Sequence, residues 1–326
     1  MSRWVPDIVH ATHPLAAQAT TTFITNQRSP QTKTAYFGIL RKFLAWADNG
    51  GWSSLSDLTT LDIKRYETGL LRVRGNGGQA APRSRAQTLS CLRSYFRALV
   101  NVGALTVNPA AEVKGSKASA NIGAYPALSS DDVTKLLASM EGDSLQDLQE
   151  RALIGLMLFA CARVGAVTKL THSDVREAEG RLVVKLDEKG EKEHWVPLSK
   201  EADAFFRAFR DASGEGAAWC DPNPEGYVFR RWDKGRKRLT GRPLDRRVCL
   251  RIVKRRAERV GLFGVKNHTF RATGITRFIN VTGDMERARR LANHSSVNTT
   301  KLYDHNDQGV QPHDVDEISF DGVMVR

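Results

Sequence analysis

Apolar residues recur at helical spacing through the first hundred residues of the chain. The clearest stripe follows Ser29 and Pro30, which suit the N-cap and the first position of a helix, and it ends at the Asn49-Gly50-Gly51 turn. Its members are Tyr36, Ile39, Leu40, Phe43 and Ala47. We predict three further helices over residues 13–27, about 60–74 and about 84–102, the last two capped by Thr60 and Ser84. Four helices in this length predict a small all-α domain over residues 1–103.

Helical spacing disappears between residues 104 and 127. This segment is rich in Ala, Ser, Gly and Pro, so we interpret it as an interdomain linker. Beyond it, the run from Leu145 to Cys161 becomes apolar on all sides in its second half, which predicts a helix at the centre of another core. Residues 128–326 are therefore predicted to form a second domain with a C-terminal tail.

An alternating pattern interrupts the helices of the second domain. Apolar residues at Leu182, Val184 and Leu186, followed by Trp195 on a return strand, predict a β-hairpin whose turn holds Lys189. The predicted fold class is therefore mainly α with a small β-hairpin or sheet, arranged as two domains.

Positive charge is concentrated in one part of the chain. The chain has a net charge of +13, and residues 230–259 contain fourteen Lys and Arg against three Asp and Glu. This segment ends in a predicted helix from about residue 243 to residue 260, which has one apolar face. A basic face that holds only one acid favours contact with nucleic acid over simple solvation. Its members are Arg247, Arg251, Lys254 and Arg255, while Arg246 and Arg256 fall nearer the apolar side.

The cysteines and the hydropathy profile bear on the compartment. Four cysteines lie far apart without a CxxC pair, and three of them fall in apolar helical patterns, which predicts buried free thiols in a reducing compartment. The N-terminus lacks a signal-peptide core and no run reaches the length of a membrane span. We therefore expect a protein of the bacterial cytoplasm, without membrane association and with access to the nucleoid.

The candidate chemistry lies between residues 268 and 305. His268 and Arg271 are three residues apart and share one face of a helix, and His294 precedes Tyr303 by nine residues. Arginine binds phosphate oxygens, histidine transfers protons near neutral pH, and tyrosine can be a covalent nucleophile. Together these residue types suit the transfer of a phosphodiester to a protein hydroxyl. Arg163 follows the apolar helix and is therefore either paired or placed to bind an anion.

In this order and spacing, the chain resembles the tyrosine site-specific recombinases of the phage integrase family. The resemblance is strongest in ARVGAVTKLTHSDV, KGEKEHWVPL, HTFR and NHSSVNTTKLY, and fainter in SPQTKTAYFGILRKFLAW. It implies that Arg163 and Arg271 bind the scissile phosphate together with His294. It also implies that Tyr303 is the nucleophile and that His268 acts as a base or hydrogen-bonding partner.

The same resemblance implies a general acid and shows two departures. Lys189 would protonate the leaving 5′ oxygen, with Lys192 on the same hairpin as the second candidate. The family often has an acid three residues after the first arginine, where this chain has Ala166. The usual glycine before the second histidine is Asn293, which also tolerates the left-handed conformation that such a turn needs.

The implied function is site-specific recombination through a 3′-phosphotyrosine intermediate, for integration, excision or resolution of a mobile element. The implied partners are double-stranded DNA and a homo-tetramer on two DNA sites, with an accessory or directionality protein as a further option. No cofactor or metal is expected, because His268, His294 and His305 have no HExxH or paired Cys/His spacing. Two alternatives stay open, a type IB topoisomerase and a DNA-binding regulator that has lost catalysis.

Overall fold

Three hydrophobic clusters organise the fold, a large core in each half of the chain and a smaller cluster in the second half that contains Cys161 and Tyr303. The structure is a computed structural model, and it describes residues 4–70, 78, 80–115, 126–187, 193–214, 226–233, 235 and 237–304. Contacts divide the chain into one unit over Met1–Ser119 and another over Ala120–Arg326.

The regular structure in the described residues of the first unit is helical throughout. The helices are α1 (Asp7–Thr12), α2 (Ala16–Thr25), α3 (Pro30–Asp48), α4 (Thr60–Gly69) and α5 (Pro82–Asn101), with a 3-10 turn at Leu55–Asp57. The prediction for α3 is confirmed in detail, since Pro30 begins the helix and the Ser29 hydroxyl accepts a hydrogen bond from the Thr32 amide at 3.1 Å.

Three predicted helix boundaries in this unit were wrong. The helix predicted over residues 13–27 is the shorter α2, and a separate helix, α1, precedes it, because His13 is followed by a proline and adopts an extended conformation between the two helices. The cap of α4 is Thr59, whose hydroxyl accepts from the Asp62 amide while Asp62 bonds back to the Thr59 amide. The fourth predicted helix begins at Pro82, two residues before Ser84, because proline suits the first turn of a helix.

The first part of the predicted linker packs with the N-terminal unit. Ala110 and Val113 are buried in its core. The Arg93 side chain donates to the carbonyls of both residues, and the Asn108 amide donates to the Arg93 carbonyl at 3.0 Å. Residues 104–113 therefore extend the helical unit instead of linking it to the next one.

The second unit combines eight helices with two small antiparallel sheets in its described residues. The helices are α6 (Ser130–Ala138), α7 (Leu145–Phe159), α8 (Val164–Val167), α9 (Lys200–Ala212), α10 (Arg246–Arg259), α11 (Asn267–Thr282), α12 (Met285–Leu291) and α13 (Val297–Thr300). The strands are β1 (Val175–Ala178), β2 (Arg181–Lys185), β3 (Trp195–Pro197), β4 (Arg230–Asp233) and β5 (Arg238–Pro243). The predicted fold class, mainly α with a small sheet, is confirmed.

The apolar helix α7 lies at the centre of the second core, between α9 and α11. It ends at Phe159, two residues before the predicted end, because Cys161 adopts a left-handed conformation with φ of 49°. Cys91, Cys161 and Cys249 are buried free thiols, as predicted, while Cys220 lies outside the described residues.

The predicted hairpin is confirmed as the pair β2 and β3, in which Lys185 lies opposite Trp195. Strand β1 adds a third strand to this sheet, with Val175 opposite Val184. Strands β4 and β5 form a second sheet inside the basic segment. The sequence pattern missed this second sheet because its residues do not alternate between buried and exposed positions. In the part of the chain that the structure describes, no helix is long and apolar enough to cross a membrane.

Candidate active site

Arg271 is fixed at the interface between α7 and α11. Its side chain is 1 % exposed, and its two terminal nitrogens donate to the backbone carbonyls of Cys161 and Ala292. These two bonds fix the plane of the guanidinium and join the end of α7 to the turn after α12. A buried arginine whose guanidinium is already oriented by the protein can bind an anion that approaches from outside.

Gly274 allows α11 to approach the end of α7 closely enough for this contact. A Cβ at this position would lie 2.0 Å from the Leu158 carbonyl oxygen and 2.9 Å from the Cys161 sulfur. A larger side chain would push α11 away from α7. Gly274 therefore permits the close packing of α11 on α7 that brings Arg271, three residues earlier on the same helix, to the Cys161 carbonyl.

Tyr303 lies in the 3-10 turn Lys301–Tyr303 and is 2 % exposed. Its carbonyl accepts a hydrogen bond from the Thr276 hydroxyl at 2.8 Å, which ties the turn to α11. Its own hydroxyl lies 2.9 Å from Nε2 of His268 at the start of the same helix. The ring is thus held by packing, while its hydroxyl contacts an exposed imidazole.

His294 is presented by a left-handed turn at the end of α12. Asn293 has a φ of 45°, so the predicted tolerance of Asn in this conformation is confirmed. The amides of Asn293 and His294 bond the carbonyls of Arg290 and Arg289, both at 3.0 Å, which is the Schellman arrangement. Arg289 also donates from its side chain to the His294 carbonyl at 2.8 Å.

The His294 ring contacts both the nucleophile candidate and a buried hydroxyl. It stacks on the Tyr303 ring with 5.4 Å between centroids and 19° between planes. Its Nδ1 lies 3.0 Å from the hydroxyl oxygen of Thr300, which is fully buried. Thr300 was not singled out from the sequence, although it lies in the Ser/Asn/Thr-rich segment before Tyr303.

The pKa of His294 is lowered from 6.5 to about 3. Burial is the largest cause, followed by the positive charges of Arg271 and Arg163 and then of His268 and Arg289. The ring is therefore neutral at physiological pH, and one of its nitrogens carries a proton that can be donated.

Arg163 belongs to the same cluster through its charge. It is the half-buried N-cap residue of α8 and acts electrostatically on His294. Ala166, at the position where the family often has an acid, is 4 % exposed in the core. The structure thus brings Arg163, His268, Arg271, His294 and Tyr303 together, while their catalytic roles stay predictions.

Lys189 and Lys192 lie outside the described residues, which resume at Glu193 on the return side of the hairpin. Both assignments therefore stay predictions.

Helix α10 presents a basic surface. Arg247, Arg251 and Lys254 are exposed on it. Arg255 is also exposed, but one of its terminal nitrogens pairs with the buried carboxylate of Glu150, a structural contact that the sequence did not indicate.

The structure defines the directions of Arg246 and Arg256, the two arginines of α10 that the sequence pattern placed nearer its apolar side. Arg256 is 4 % exposed and pairs with Asp147 and with Glu150, the latter at 2.6 Å. Arg246 is exposed and lies over the backbone of Gly165, where an added Cβ would meet its guanidinium at 2.4 Å. Arg256 therefore anchors α10 to α7, while Arg246 lies beside the segment that begins with Arg163. Among the described residues, no group of three His, Cys, Asp or Glu could hold a metal ion.

Comparison with known proteins agrees with this geometry. Residues 126–309, more than half of the chain, match the model of the phage integrase family, and residues 21–103 match the model of the phage integrase N-terminal SAM-like domain. The chain belongs to the phage integrase family. It is a tyrosine recombinase, an enzyme that cleaves and rejoins DNA.

Two proteins similar in sequence are tyrosine recombinases. Tyrosine recombinase XerC of Pelobacter propionicus is 28% identical over 280 residues, covering 85% of each chain. Tyrosine recombinase XerD of Bifidobacterium longum is 29% identical over 282 residues, covering 84% of this chain and 86% of its own.

Two solved recombinases share the fold. The XerH recombinase bound to a palindromic difH substrate has a TM-score of 0.64 at 18% identity, over 85% of this chain and 77% of its own. A lambda integrase tetramer bound to a Holliday junction has a TM-score of 0.61 at 17% identity, over 96% of this chain and 80% of its own.

Proposed function

We propose that this recombinase cuts each DNA strand by attack of the Tyr303 hydroxyl on a phosphodiester, forming a 3′-phosphotyrosine and a free 5′ hydroxyl. The observation that carries the proposal is the 2.9 Å contact between the Tyr303 hydroxyl and His268, inside a cluster that holds two arginines. A tyrosine hydroxyl has a pKa of about 10 in water, so attack at neutral pH needs a proton acceptor and a neutralised phosphate.

The cleavage step is balanced by side chains alone. A new bond forms between the Tyr303 oxygen and phosphorus, and the tyrosine proton passes to Nε2 of His268. The bond from phosphorus to the 5′ oxygen breaks, and the ammonium of Lys189 supplies the proton of the new 5′ hydroxyl. Religation runs these steps in reverse, with the 5′ hydroxyl of a partner strand as the attacking group, so no energy source is consumed.

Charge on the phosphoryl oxygens is balanced by Arg163, Arg271 and His294. If the Thr300 hydroxyl donates to Nδ1 of His294, the ring proton lies on Nε2, where it can be donated to a non-bridging oxygen. The lowered pKa keeps this nitrogen a neutral donor before DNA binds. The bonds from Arg271 to two carbonyls orient its guanidinium before the substrate arrives.

The exposed basic side chains of α10 hold the DNA duplex near this catalytic centre. Arg247, Arg251 and Lys254 supply phosphate contacts, and Arg255 contributes to the same surface while it pairs with Glu150. The carboxylate partner limits the freedom of Arg255, so it adds less to the salt dependence of binding than the other three residues.

Strand exchange in this proposal uses a homo-tetramer on two DNA sites. The solved lambda integrase tetramer on a Holliday junction supports this assembly by analogy of fold. Integration, excision or resolution of a mobile element in the bacterial cytoplasm is the physiological setting that we propose, with an accessory protein that sets direction.

Recovery of covalent protein–DNA adducts tests the proposal against both alternatives. The full chain is incubated with genomic DNA from its host, adducts are isolated under denaturing conditions, and the attached fragments are sequenced. A site-specific recombinase gives adducts at one or a few related sequences. Adducts scattered without a shared sequence would indicate a topoisomerase, and DNA binding without any adduct would indicate a regulator.

A further inference from the structure

His194 connects the β2–β3 hairpin to the turn that presents His294. Its backbone carbonyl accepts from the Leu186 amide at 2.9 Å, which continues the pairing of the two strands towards the tip. Its side chain crosses to another element, where Nε2 lies 3.2 Å from the carbonyl oxygen of Leu291 at the end of α12. Since the carbonyl can only accept, the imidazole donates this bond.

The accepting carbonyl belongs to a helix end whose four last carbonyls are all satisfied. The carbonyls of residues 289–292 have no partner within α12, as at any helix C-terminus. The amides of His294 and Asn293 bond the first two, and the Arg271 guanidinium bonds the fourth. His194 bonds the third. Two turn amides, a phosphate-binding arginine and a hairpin histidine thus hold the same turn.

Two contacts join the strands beside His194, near the turn end of β2 and β3. Lys185 and Glu193 form an ion pair at 2.6 Å across the hairpin. The Arg176 guanidinium lies over the Trp195 ring at 4.0 Å from its centroid. Because these contacts and the Leu186–His194 bond keep the strands paired beside His194, its side-chain bond to Leu291 joins the paired strands to the end of α12.

We propose that His194 is a positioning residue that sets the hairpin of the leaving-group acid in register with the phosphate-binding turn. The proposal rests on the proposed role of Lys189, which precedes His194 by five residues in the sequence. Loss of the bond to Leu291 misplaces the acid relative to the 5′ oxygen while the phosphate ligands keep their other bonds. A misplacement of about 1 Å in a catalytic group can slow a reaction by about 100-fold.

The test compares two variants on two substrates. His194→Phe keeps an aromatic ring and removes the donor, whereas His194→Gln keeps an N–H donor close to the position of the imidazole Nε2. Single-turnover cleavage is measured on a nicked substrate with the normal 5′ oxygen and on one with a 5′-bridging sulfur, whose thiolate leaves without protonation. Lys189→Ala is run beside them, and the melting temperature of each variant is recorded.

We expect His194→Phe to cleave the oxygen substrate about 10- to 100-fold more slowly and the sulfur substrate at the wild-type rate. His194→Gln should cleave both substrates at close to the wild-type rate. If His194→Phe is slow on both substrates, the bond supports phosphate binding and the inference is overturned. Unchanged cleavage of the oxygen substrate by His194→Phe would overturn it as well.

Failure of the proposed function gives a different pattern. Lys189→Ala should be slow on the oxygen substrate and restored by sulfur. If sulfur does not restore Lys189→Ala, the assignment of the general acid is wrong, and the inference on His194 is lost with it. If sulfur restores Lys189→Ala but not His194→Phe, only the inference on His194 fails.

Discussion

The Tyr303 hydroxyl and Nε2 of His268 lie 2.9 Å apart, although 35 residues separate them in the chain. The tyrosine is buried up to its hydroxyl, whereas the histidine is exposed. A buried ring with a hydroxyl directed at an exposed imidazole combines fixed geometry with a proton acceptor that solvent can reach. This pair is the core of the proposed mechanism, and the surrounding residues tune it.

His294 should not titrate near neutral pH in the free enzyme. Because burial and neighbouring positive charges lower its pKa to about 3, its ring signals in an NMR titration should stay unchanged from about pH 8 to about pH 5. The spectrum of His294→Gln assigns the signals. Bound DNA should raise the pKa, since phosphate favours the protonated ring. A free-enzyme midpoint near 6.5 would contradict this account.

The lowered pKa of His294 also determines the direction in which the stability of the fold changes with pH. Since the folded pKa lies below the ordinary value of 6.5, the unfolded chain binds a proton between these values that the folded chain does not. The contribution of neutral His294 to stability is therefore complete above pH 6.5 and is lost as the pH falls towards 3. The stability of wild type relative to His294→Gln should decrease over that interval.

Thr300→Val should slow cleavage while Thr300→Ser does not. Valine has nearly the shape of threonine but lacks the hydroxyl that lies 3.0 Å from Nδ1 of His294, so the ring loses the bond that selects its tautomer. We expect a loss of about 10-fold in the single-turnover cleavage rate, with DNA affinity unchanged. Equal rates for both variants would show that the hydroxyl does not orient the imidazole.

The buried ion pair between α7 and α10 should stabilise the catalytic unit. Glu150→Gln leaves the charge of Arg256 opposite a neutral amide, with only the half-buried Asp147 as its anionic partner. We expect the free energy of unfolding to fall by about 3 kcal/mol in urea denaturation. Glu258→Gln on the exposed face of the same helix is the matched control, with an expected change of less than about 0.5 kcal/mol.

DNA binding should depend strongly on salt, and α10 should carry much of that dependence. If Arg247 and Arg251 each contact a phosphate, replacing both by alanine lowers the slope of log affinity against log salt by about 2. Lys135 and Lys200 are exposed elsewhere in the catalytic unit, so their double alanine variant removes the same charge as a control. Equal slopes for wild type and the arginine variant would mean that this face of α10 does not contact DNA.

Sequence patterns correctly predicted the features that depend on a few neighbouring residues. The cap at Ser29, the apolar face of α10 and the left-handed turn at Asn293 follow from the preferences of a few neighbouring residues, and the structure confirms them. The cluster of site residues was predicted through resemblance to a family, since spacing alone leaves Tyr303 as an ordinary packing residue.

Contacts between distant segments were not predictable in the same way. Arg256 pairs with Glu150, which lies more than a hundred residues earlier in the chain, and no sequence pattern on α10 indicates that partner. The bond from His194 to Leu291 likewise depends on how the hairpin packs on α12. Strands β4 and β5 were missed because Trp232 and Leu239 are their only large apolar residues, so no apolar alternation marks them.

The most direct test of the account is the loss of the covalent intermediate in Tyr303→Phe. This change removes only the hydroxyl and keeps the ring stacked on His294, so DNA binding should be normal. The assay uses a nicked suicide substrate labelled upstream of the cut, run on a denaturing gel with and without EDTA. Wild type should give a protease-sensitive, slowly migrating band in both lanes, and Tyr303→Phe should give none. A band that persists in Tyr303→Phe would place the nucleophile elsewhere, and a wild-type band abolished by EDTA would contradict the metal-free mechanism.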